Sequence, residues 1–140
     1  MEEKRVRDIM TREVTTLKRN DKLTLADDIM QLGRIRHLPV LEDDGDQLVG
    51  IVTQRDLFRG ALARALGYGQ RAQRKVLDTL FVKEVMSSDV TTTTPDTPLV
   101  EAARVLVNRK IGCLPVVEDG RLVGIVTEGD FVAMFAAKSR

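Results

Sequence analysis

The sequence is poor in the side chains on which most enzyme chemistry depends: it has no tryptophan, one cysteine and one histidine. The single cysteine, Cys113, excludes a disulfide within the chain and is typical of a protein from a reducing compartment. There is no Ser/His/Asp set, no nucleophile elbow and no metal-spaced cluster of His and Cys. The sequence therefore predicts a protein that is not an enzyme and requires no cofactor.

Long apolar runs and an excess of charge of either sign are also missing. No apolar run approaches the ~20 residues of a membrane-spanning helix, and the first residues are not followed by the apolar region of a signal peptide. The net charge of +1 gives no general attraction to nucleic acid or acidic membranes. We therefore expect a cytoplasmic protein, or a cytoplasmic part of a larger one, that does not associate with membranes.

What the sequence does contain is an internal repeat, which is the first feature to establish in any chain. Pro39 pairs with Pro115 at a shift of 76 residues, and Asp56 pairs with Asp130 at a shift of 74. The first copy therefore has two extra residues, which fall in the turn at Asp43–Asp46. The repeat predicts two like lobes related by a pseudo-twofold axis: residues 1–66 with an N-terminal lead-in, a linker at 67–81, and residues 82–140.

Local signals predict the order strand, helix, hairpin, helix in each copy, which is an α+β fold with a small mixed sheet and two helices per lobe. Thr24 and Thr97-Pro98 have the residue types that begin helices, and Pro39 and Pro115 favour strand starts or edges. The predicted strands are Val14–Leu17, Leu38–Leu41 and Leu48–Val52 in the first copy, and Val90–Thr93, Leu114–Val117 and Leu122–Val126 in the second.

The last helix of each copy begins at a threonine that is followed three residues later by an aspartate. This spacing has a purely structural interpretation, since the two side chains can close a capping box worth roughly 0.5–2 kcal/mol. It also has a functional interpretation: a helix N-terminus attracts an anion, and a carboxylate can accept hydrogen bonds from two ribose hydroxyls. The residues alone leave both interpretations open, and the second indicates a nucleoside phosphate.

The segments Gly50–Asp56 and Gly124–Asp130 both read Gly-apolar-apolar-Thr-x-x-Asp and follow an apolar-Pro-Val strand. This pattern resembles the cystathionine β-synthase (CBS) domain, and the tandem resembles a CBS pair, or Bateman module, over about Val6 to Phe135. The resemblance implies a regulatory sensor with clefts between the paired domains for adenosine-containing ligands: AMP, ADP, ATP, S-adenosylmethionine or NAD-type molecules. It also implies a disc-like homodimer formed through helices, which agrees with an apolar stripe on each last helix wider than a small sheet requires.

In the family pattern the motif aspartate binds the ribose and the motif threonine lies near the phosphate, while Thr16 and Thr92 match a position near the base or ribose. The strand residues before the motif offer an apolar slot for a flat base. The candidate ligand-binding residues are therefore Val14, Thr16, Arg36, His37, Leu38, Pro39, Thr53, Arg55 and Asp56 in the first copy, and Val90, Thr92, Cys113, Leu114, Pro115, Thr127 and Asp130 in the second.

The two copies differ where phosphates would lie. The first has Arg36-His37 and Arg55, whereas the second has Gly112-Cys113 and Gly129 at the matching positions. We expect the first copy to bind a charged nucleotide more tightly. The acidic run Glu42, Asp43, Asp44 and Asp46 lacks the spacing of a Ca²⁺ loop and predicts a solvated hairpin tip instead of a metal site.

Two other functions remain as alternatives. The module could assemble with a second copy, or with an effector protein absent from this sequence, while its clefts stay empty. Nucleic-acid binding would rely on the basic stretch Arg59, Arg64, Arg71, Arg74 and Lys75. Tyr68 is the only aromatic residue in that stretch, so base stacking is poorly supplied and a solvated surface is the simpler interpretation.

Overall fold

The computed structural model describes residues 3–65 and 69–138, and for residues 60–65, 70 and 138 it describes only the backbone. A 3-10 turn at Val6–Asp8 comes before the strands and helices. In chain order these are β1 (Leu17–Lys18), α1 (Leu23–Gly33), β2 (His37–Leu41), β3 (Leu48–Thr53), α2 (Gln54–Ala65), α3 (Gln70–Thr79), α4 (Val82–Val85), α5 (Leu99–Arg109), β4 (Cys113–Glu118), β5 (Arg121–Thr127) and α6 (Glu128–Lys138). The α+β class predicted from the sequence is confirmed.

The chain divides into two compact units. The first unit is Thr15–Val90, and the second unit joins the residues up to Val14 with those from Thr91 onward. The predicted boundaries follow the sequence repeats, whereas the compact units assign the N-terminal lead-in to the second copy. The physical reason is burial, because Val6 and Met10 pack in the same apolar core as Leu99 and Leu114.

The first unit contains a three-stranded sheet in the order β1-β2-β3, in which β1 runs parallel to β2 and β3 runs antiparallel to it. Its core includes Leu38, Val40 and Val52 from the sheet together with Ala26 and Met30 from α1. Ala26 and Met30 are four residues apart and lie on one buried face of α1, whereas Gly33 at the end of the helix is exposed.

The second unit contains the hairpin β4-β5, and Thr93 bridges Val116 in parallel, where β1 stands in the first unit. The strands predicted at Val14–Leu17 and Val90–Thr93 are therefore shorter than expected: one begins at Leu17 and the other is this single bridge. At the hairpin turn Asp119 and Gly120 both have positive φ, 54° and 78°, as a type I′ turn requires.

Both prolines lie at the third residue of a strand instead of a strand start or edge. Pro39 stands opposite Ile51, but Ile51 exchanges both of its backbone hydrogen bonds with Ser87, at 3.0 and 2.9 Å. The missing N–H of Pro39 therefore removes no bond between β2 and β3. In the second unit Pro115 stands opposite Ile125 in the same way. Ile125 exchanges both of its backbone hydrogen bonds with Thr11, at 3.0 and 2.9 Å.

Gly50 and Gly124 allow two short segments, residues 86–87 and residues 10–11, to pack closely against the sheets. We call these the lead-in segments. A Cβ atom at Gly50 would lie 2.5 Å from Sδ of Met86 and 3.0 Å from the carbonyl oxygen of Ser87. A Cβ atom at Gly124 would lie 2.9 Å from Sδ of Met10 and 3.0 Å from the carbonyl oxygen of Thr11. The first glycine of each Gly-x-x-Thr motif is thus explained by close backbone packing.

The predicted starts of α1 and α5 are wrong by one or two residues. The residue before α1 is Lys22, not Thr24, and the residue before α5 is Pro98 itself. The N–H of Leu23 donates to the carbonyl of Leu80, and the N–H of Leu99 donates to the carbonyl of Lys4, both at 2.8 Å. Backbone carbonyls from distant segments satisfy these helix starts, so no side-chain cap is needed.

Part of the predicted linker belongs to the first unit. Gly69, with φ of 86°, comes directly before α3, while Gly67 and Tyr68 lie outside the described residues. The helix α3 contributes Leu77 to the core. Arg74 donates two hydrogen bonds to the carboxylate of Asp28, at 2.8 and 3.2 Å, and this pairing lowers the pKa of Asp28.

Candidate functional site

The strand β3 passes into the helix α2 at a corner formed by Thr53 and Asp56. The backbone N–H and the hydroxyl of Thr53 both donate to Oδ2 of Asp56, at 2.8 and 3.0 Å. The N–H of Asp56 donates back to Oγ1 of Thr53 at 3.3 Å. These reciprocal bonds form the capping box expected from the spacing, and they hold the carboxylate in one orientation.

The second unit repeats this corner between β5 and α6. Here Thr127 donates to Oδ2 of Asp130 from its N–H at 2.8 Å and from its hydroxyl at 3.2 Å. The N–H of Asp130 donates to Oγ1 of Thr127 at 3.4 Å. We call these arrangements the first corner and the second corner; their backbones are built alike.

Each capping box uses only one oxygen of its carboxylate. Within the part of the chain that the structure describes, no hydrogen bond is made to Oδ1 of Asp56 or Asp130. Both aspartates are partly exposed. An ionised carboxylate has about four lone-pair sites, so each corner retains acceptor capacity that a hydroxyl group can use while the helix stays capped.

The residues before β2 and β4 lie beside the corners through backbone bonds. The carbonyl of Arg36 accepts the N–H of Gln54 at 2.9 Å, and His37 stands directly opposite Thr53 in the sheet. Gly112 and Cys113 hold the same two places beside Glu128 and Thr127: the carbonyl of Gly112 accepts the N–H of Glu128 at 3.0 Å.

Burial distinguishes Cys113 from its counterpart. Cys113 is 5% exposed, and burial raises the pKa of its thiol to about 12, whereas His37 is half-buried. At neutral pH the thiol is therefore uncharged. A buried, uncharged thiol is typical of a small core residue.

The leucine and proline side chains of the predicted apolar slot are buried. Leu38, Pro39, Leu114 and Pro115 are each less than 2% exposed, and both leucines belong to the cores of their units. A ligand would reach them only if neighbouring groups moved. By contrast Arg36 and Arg55 are exposed, as is Gly129, the counterpart of Arg55 in the second corner.

The remaining candidates lie in the segments that lead into β1 and the Thr93 bridge. Thr16 and Val90 belong to the first unit, whereas Val14 and Thr92 belong to the second. Val14, Thr16 and Val90 are half-buried and Thr92 is exposed. Val14 and Thr16 therefore belong to different units, as do Val90 and Thr92. The role of these four residues in binding remains a prediction.

Sequence analysis overlooked one pair of positions beside the corners. Gln54 and Glu128 are the first residues of α2 and α6, they occupy matching places, and both are exposed. The difference is visible when the two motifs are aligned, because the first copy has a neutral amide at the position where the second has a carboxylate. It was missed because only the arginine-to-glycine difference beside it was compared.

Within residues 3–65 and 69–138, no group of three or more His, Cys, Asp or Glu side chains is arranged to hold a metal ion. In the acidic hairpin tip, Glu42 accepts a hydrogen bond from the side chain of Arg19, and Asp43 accepts two from Asn20. Among the described helices, none is both long and apolar enough to cross a membrane.

The fold and the two corners define a tandem pair of small α+β domains, each presenting a helix start with a partly used carboxylate. The family model for the CBS domain matches residues 6–63 and 82–137. The chain belongs to the CBS domain family, which confirms the resemblance stated from its motifs.

Three solved structures are similar over nearly the whole chain. AcuB from Vibrio cholerae, assigned to acetoin utilization, is 37% identical with a TM-score of 0.84, covering 99% of this chain and 94% of AcuB. The CBS domain pair of protein MJ0100, in complex with 5′-methylthioadenosine and S-adenosylmethionine, is 30% identical with a TM-score of 0.78, covering 98% and 99%. CBSX2 in complex with AMP is 30% identical with a TM-score of 0.78, covering 97% and 98%.

Several curated relatives are much longer than this chain. The chain spans 43% of the length of one of them and 23–24% of three others that are named as enzymes. The similarity to those proteins therefore concerns a part of each.

Proposed function

We propose that this chain is a non-catalytic regulatory module that binds adenosine-containing ligands at its two Thr–Asp corners. One observation carries the proposal: each aspartate is fixed by its capping box through Oδ2, while Oδ1 accepts no hydrogen bond from any described residue. A carboxylate that is already oriented loses little conformational entropy when a ligand binds. It suits a vicinal diol such as that of ribose, because it accepts hydrogen bonds and donates none.

The helix starts support the same ligand class. At the N-termini of α2 and α6 the first and third N–H groups are already bonded, but the helix dipole still favours an anion there, and the threonine hydroxyls lie beside it. Two similar proteins were solved with AMP or with 5′-methylthioadenosine and S-adenosylmethionine, all of which contain adenosine. In this proposal Asp56 and Asp130 bind ribose, while Thr53 and Thr127 lie near the phosphate or the substituent that replaces it.

Regulation follows if the ligand binds two conformations of the module with different affinity. An effector, either a separate protein or another domain of a longer chain, would respond to the change. Competition among AMP, ADP and ATP at one corner would make the module an energy sensor. The single, buried thiol of Cys113 suits the reducing cytoplasm, where these nucleotides are abundant and where we expect the protein to act.

Thermal unfolding with a panel of adenosine compounds tests this proposal. A ligand at about 100 times its Kd stabilises the folded state by about 2.7 kcal/mol, which corresponds to roughly 5–10 °C for a chain of this size. We expect Asp56→Asn and Asp130→Asn each to remove one binding event counted by calorimetry. Two matched controls make the same chemical change in exposed hairpin turns, Asp46→Asn and Asp119→Asn, and should leave both events intact.

The result that would contradict the proposal is a folded protein whose unfolding temperature no compound in the panel changes. The same conclusion would follow if the Asp46→Asn control lost binding as completely as Asp56→Asn does.

A second candidate function, assembly, has an observation of its own. The last helices of the two repeats expose large apolar side chains at matching positions, with Phe58 64% exposed on α2 and Val132 68% exposed on α6. Phe135 on α6 is 72% exposed. Burying such groups against a second copy would be favourable, so we propose a homodimer formed through these helices. Sedimentation should give the dimer mass for the native chain and the monomer mass for Phe58→Glu with Val132→Glu; a native monomer would contradict the assembly role.

A further inference from the structure

The two corners have the same backbone but carry different charges. In the first corner Gln54 and Arg55 follow Thr53, and Arg36 precedes β2. In the second corner the corresponding residues are Glu128, Gly129 and Gly112.

Two independent features of the structure show that these positions correspond. In the strand register, His37 faces Thr53 just as Cys113 faces Thr127. In both units the N–H of the first helix residue donates to the carbonyl of the residue before the strand. Gln54 donates to Arg36 at 2.9 Å, and Glu128 donates to Gly112 at 3.0 Å. Each charge difference therefore falls at one place in a shared framework.

Around the first corner Arg36 and Arg55 outweigh Asp56, for a net charge of +1 when histidine is not counted. Around the second corner Glu128 and Asp130 give a net charge of −2. Over the described residues, the ion pairs found elsewhere in the chain involve neither Arg36 nor Arg55, and both are exposed. Their charges are therefore available to a ligand.

We propose that the two corners select different classes of adenosine ligand: the first binds those with a 5′-phosphate, and the second binds those that lack phosphate and are neutral or positively charged at that end. The inference rests on the proposed function, since it concerns the same carboxylates. The capping box and helix N-terminus supply the same local field at both corners, so the side chains set the difference. The matching positions offer a phosphate two cations at the first corner, whereas at the second corner they offer an additional carboxylate and no cation.

Calorimetry on single-site proteins tests the selection, with AMP and 5′-methylthioadenosine as the probes. Asp130→Asn leaves the first corner intact, Asp56→Asn leaves the second intact, and circular dichroism verifies that both variants fold. We expect the ratio of AMP affinity to 5′-methylthioadenosine affinity to be at least ~10-fold higher at the first corner. This difference should shrink as salt rises from about 0.01 to about 0.15 M, because the screening length falls from ~30 to ~8 Å.

Giving the second corner the residues of the first tests whether these charges cause the selection. The test looks for a gained interaction instead of a lost one. Glu128→Gln with Gly129→Arg gives the second corner the two residues of the first. A Cβ atom at Gly129 would lie 3.6 Å from Oγ1 of Thr127, an ordinary contact, so the arginine fits. In the Asp56→Asn background this pair should raise AMP affinity at least ~10-fold. The matched control, Glu101→Gln with Asn108→Arg, makes the same net change on exposed positions of α5 and should not.

The outcomes separate the two proposals. If neither compound binds either corner, the proposed function fails and this inference fails with it. If both compounds bind with equal ratios at the two corners, or if the α5 control raises AMP affinity as much as the corner variant, only the selection by charge is overturned.

Discussion

The corner at Thr53 and the corner at Thr127 share three hydrogen bonds of nearly equal length and differ in the charges of their neighbours. The shared part is what the fold requires, because a helix start must satisfy its free N–H groups in either unit. The charged side chains that differ, those of Arg36, Arg55 and Glu128, are exposed, and within the described residues none of them makes a hydrogen bond that caps the helix. The capping box uses one oxygen of each carboxylate, which leaves the other oxygen for the ligand that we propose.

The largest expected effects test whether the two units share one scaffold. Leu38 and Leu114 are 0% exposed at matching positions of β2 and β4. Leu38→Ala and Leu114→Ala should each lower the free energy of unfolding by about 2–5 kcal/mol, measured with urea. Leu32→Ala is the matched control, because Leu32 is 88% exposed, and should change it by less than about 0.5 kcal/mol. A small loss at only one of the two core sites would contradict the shared scaffold.

The next effect concerns the lead-in segments that pack on Gly50 and Gly124. Gly50→Ala and Gly124→Ala should each cost about 1–3 kcal/mol of unfolding free energy, because the new methyl group meets a backbone carbonyl 3.0 Å away. The cost should be larger at Gly50, where Met86 is also nearer. Gly45→Ala provides the control, since nothing lies within 4 Å of that position. Alanine tolerated equally at all three sites would show that the lead-in packing is not tight.

The capping boxes should contribute alike to stability in the two units. Thr53→Ala and Thr127→Ala remove the hydroxyl that pairs with the aspartate, and each should cost about 0.5–2 kcal/mol in urea unfolding. Thr53→Ser and Thr127→Ser retain that hydroxyl and should recover most of the loss. If alanine and serine behave the same, the hydrogen bonds do not stabilise these helix starts.

The smallest effect should be a gain in stability at the ends of α1 and α5. Arg34 and Lys110 are exposed and adopt left-handed backbone conformations, with φ of 54° and 55°, which glycine adopts with less strain. Arg34→Gly and Lys110→Gly should each raise the unfolding free energy by up to about 1 kcal/mol, or the Tm by ~2–4 °C. Arg104→Gly, at an exposed position in the middle of α5, should lower it by about 1 kcal/mol. A loss at all three positions would contradict the account.

The hairpins, the Thr-capped helices and the family could be predicted because their signals are local and occur twice. The turn at Asp119-Gly120 and the spacing from Thr53 to Asp56 each specify a structure within a few residues. The starts of α1 and α5 could not be read in this way, because the carbonyls that satisfy them belong to Leu80 and Lys4, far along the chain.

The packing of the lead-in segments also depends on residues far apart in the chain. In the sequence, only Gly50 and Gly124 indicated that another backbone passes close by. Of the candidate site, the two carboxylates and their bonds followed from spacing. The complete burial of Leu38 and Leu114 depends on packing that no short motif encodes.

A crystal structure grown with saturating AMP is the sharpest test of ribose binding at the first corner. We expect the ribose hydroxyls within hydrogen-bonding distance of the Asp56 carboxylate, with Thr53 still bonded to Oδ2. Crystals in which the first corner holds only solvent, or in which AMP binds with its ribose away from that carboxylate, would contradict this expectation.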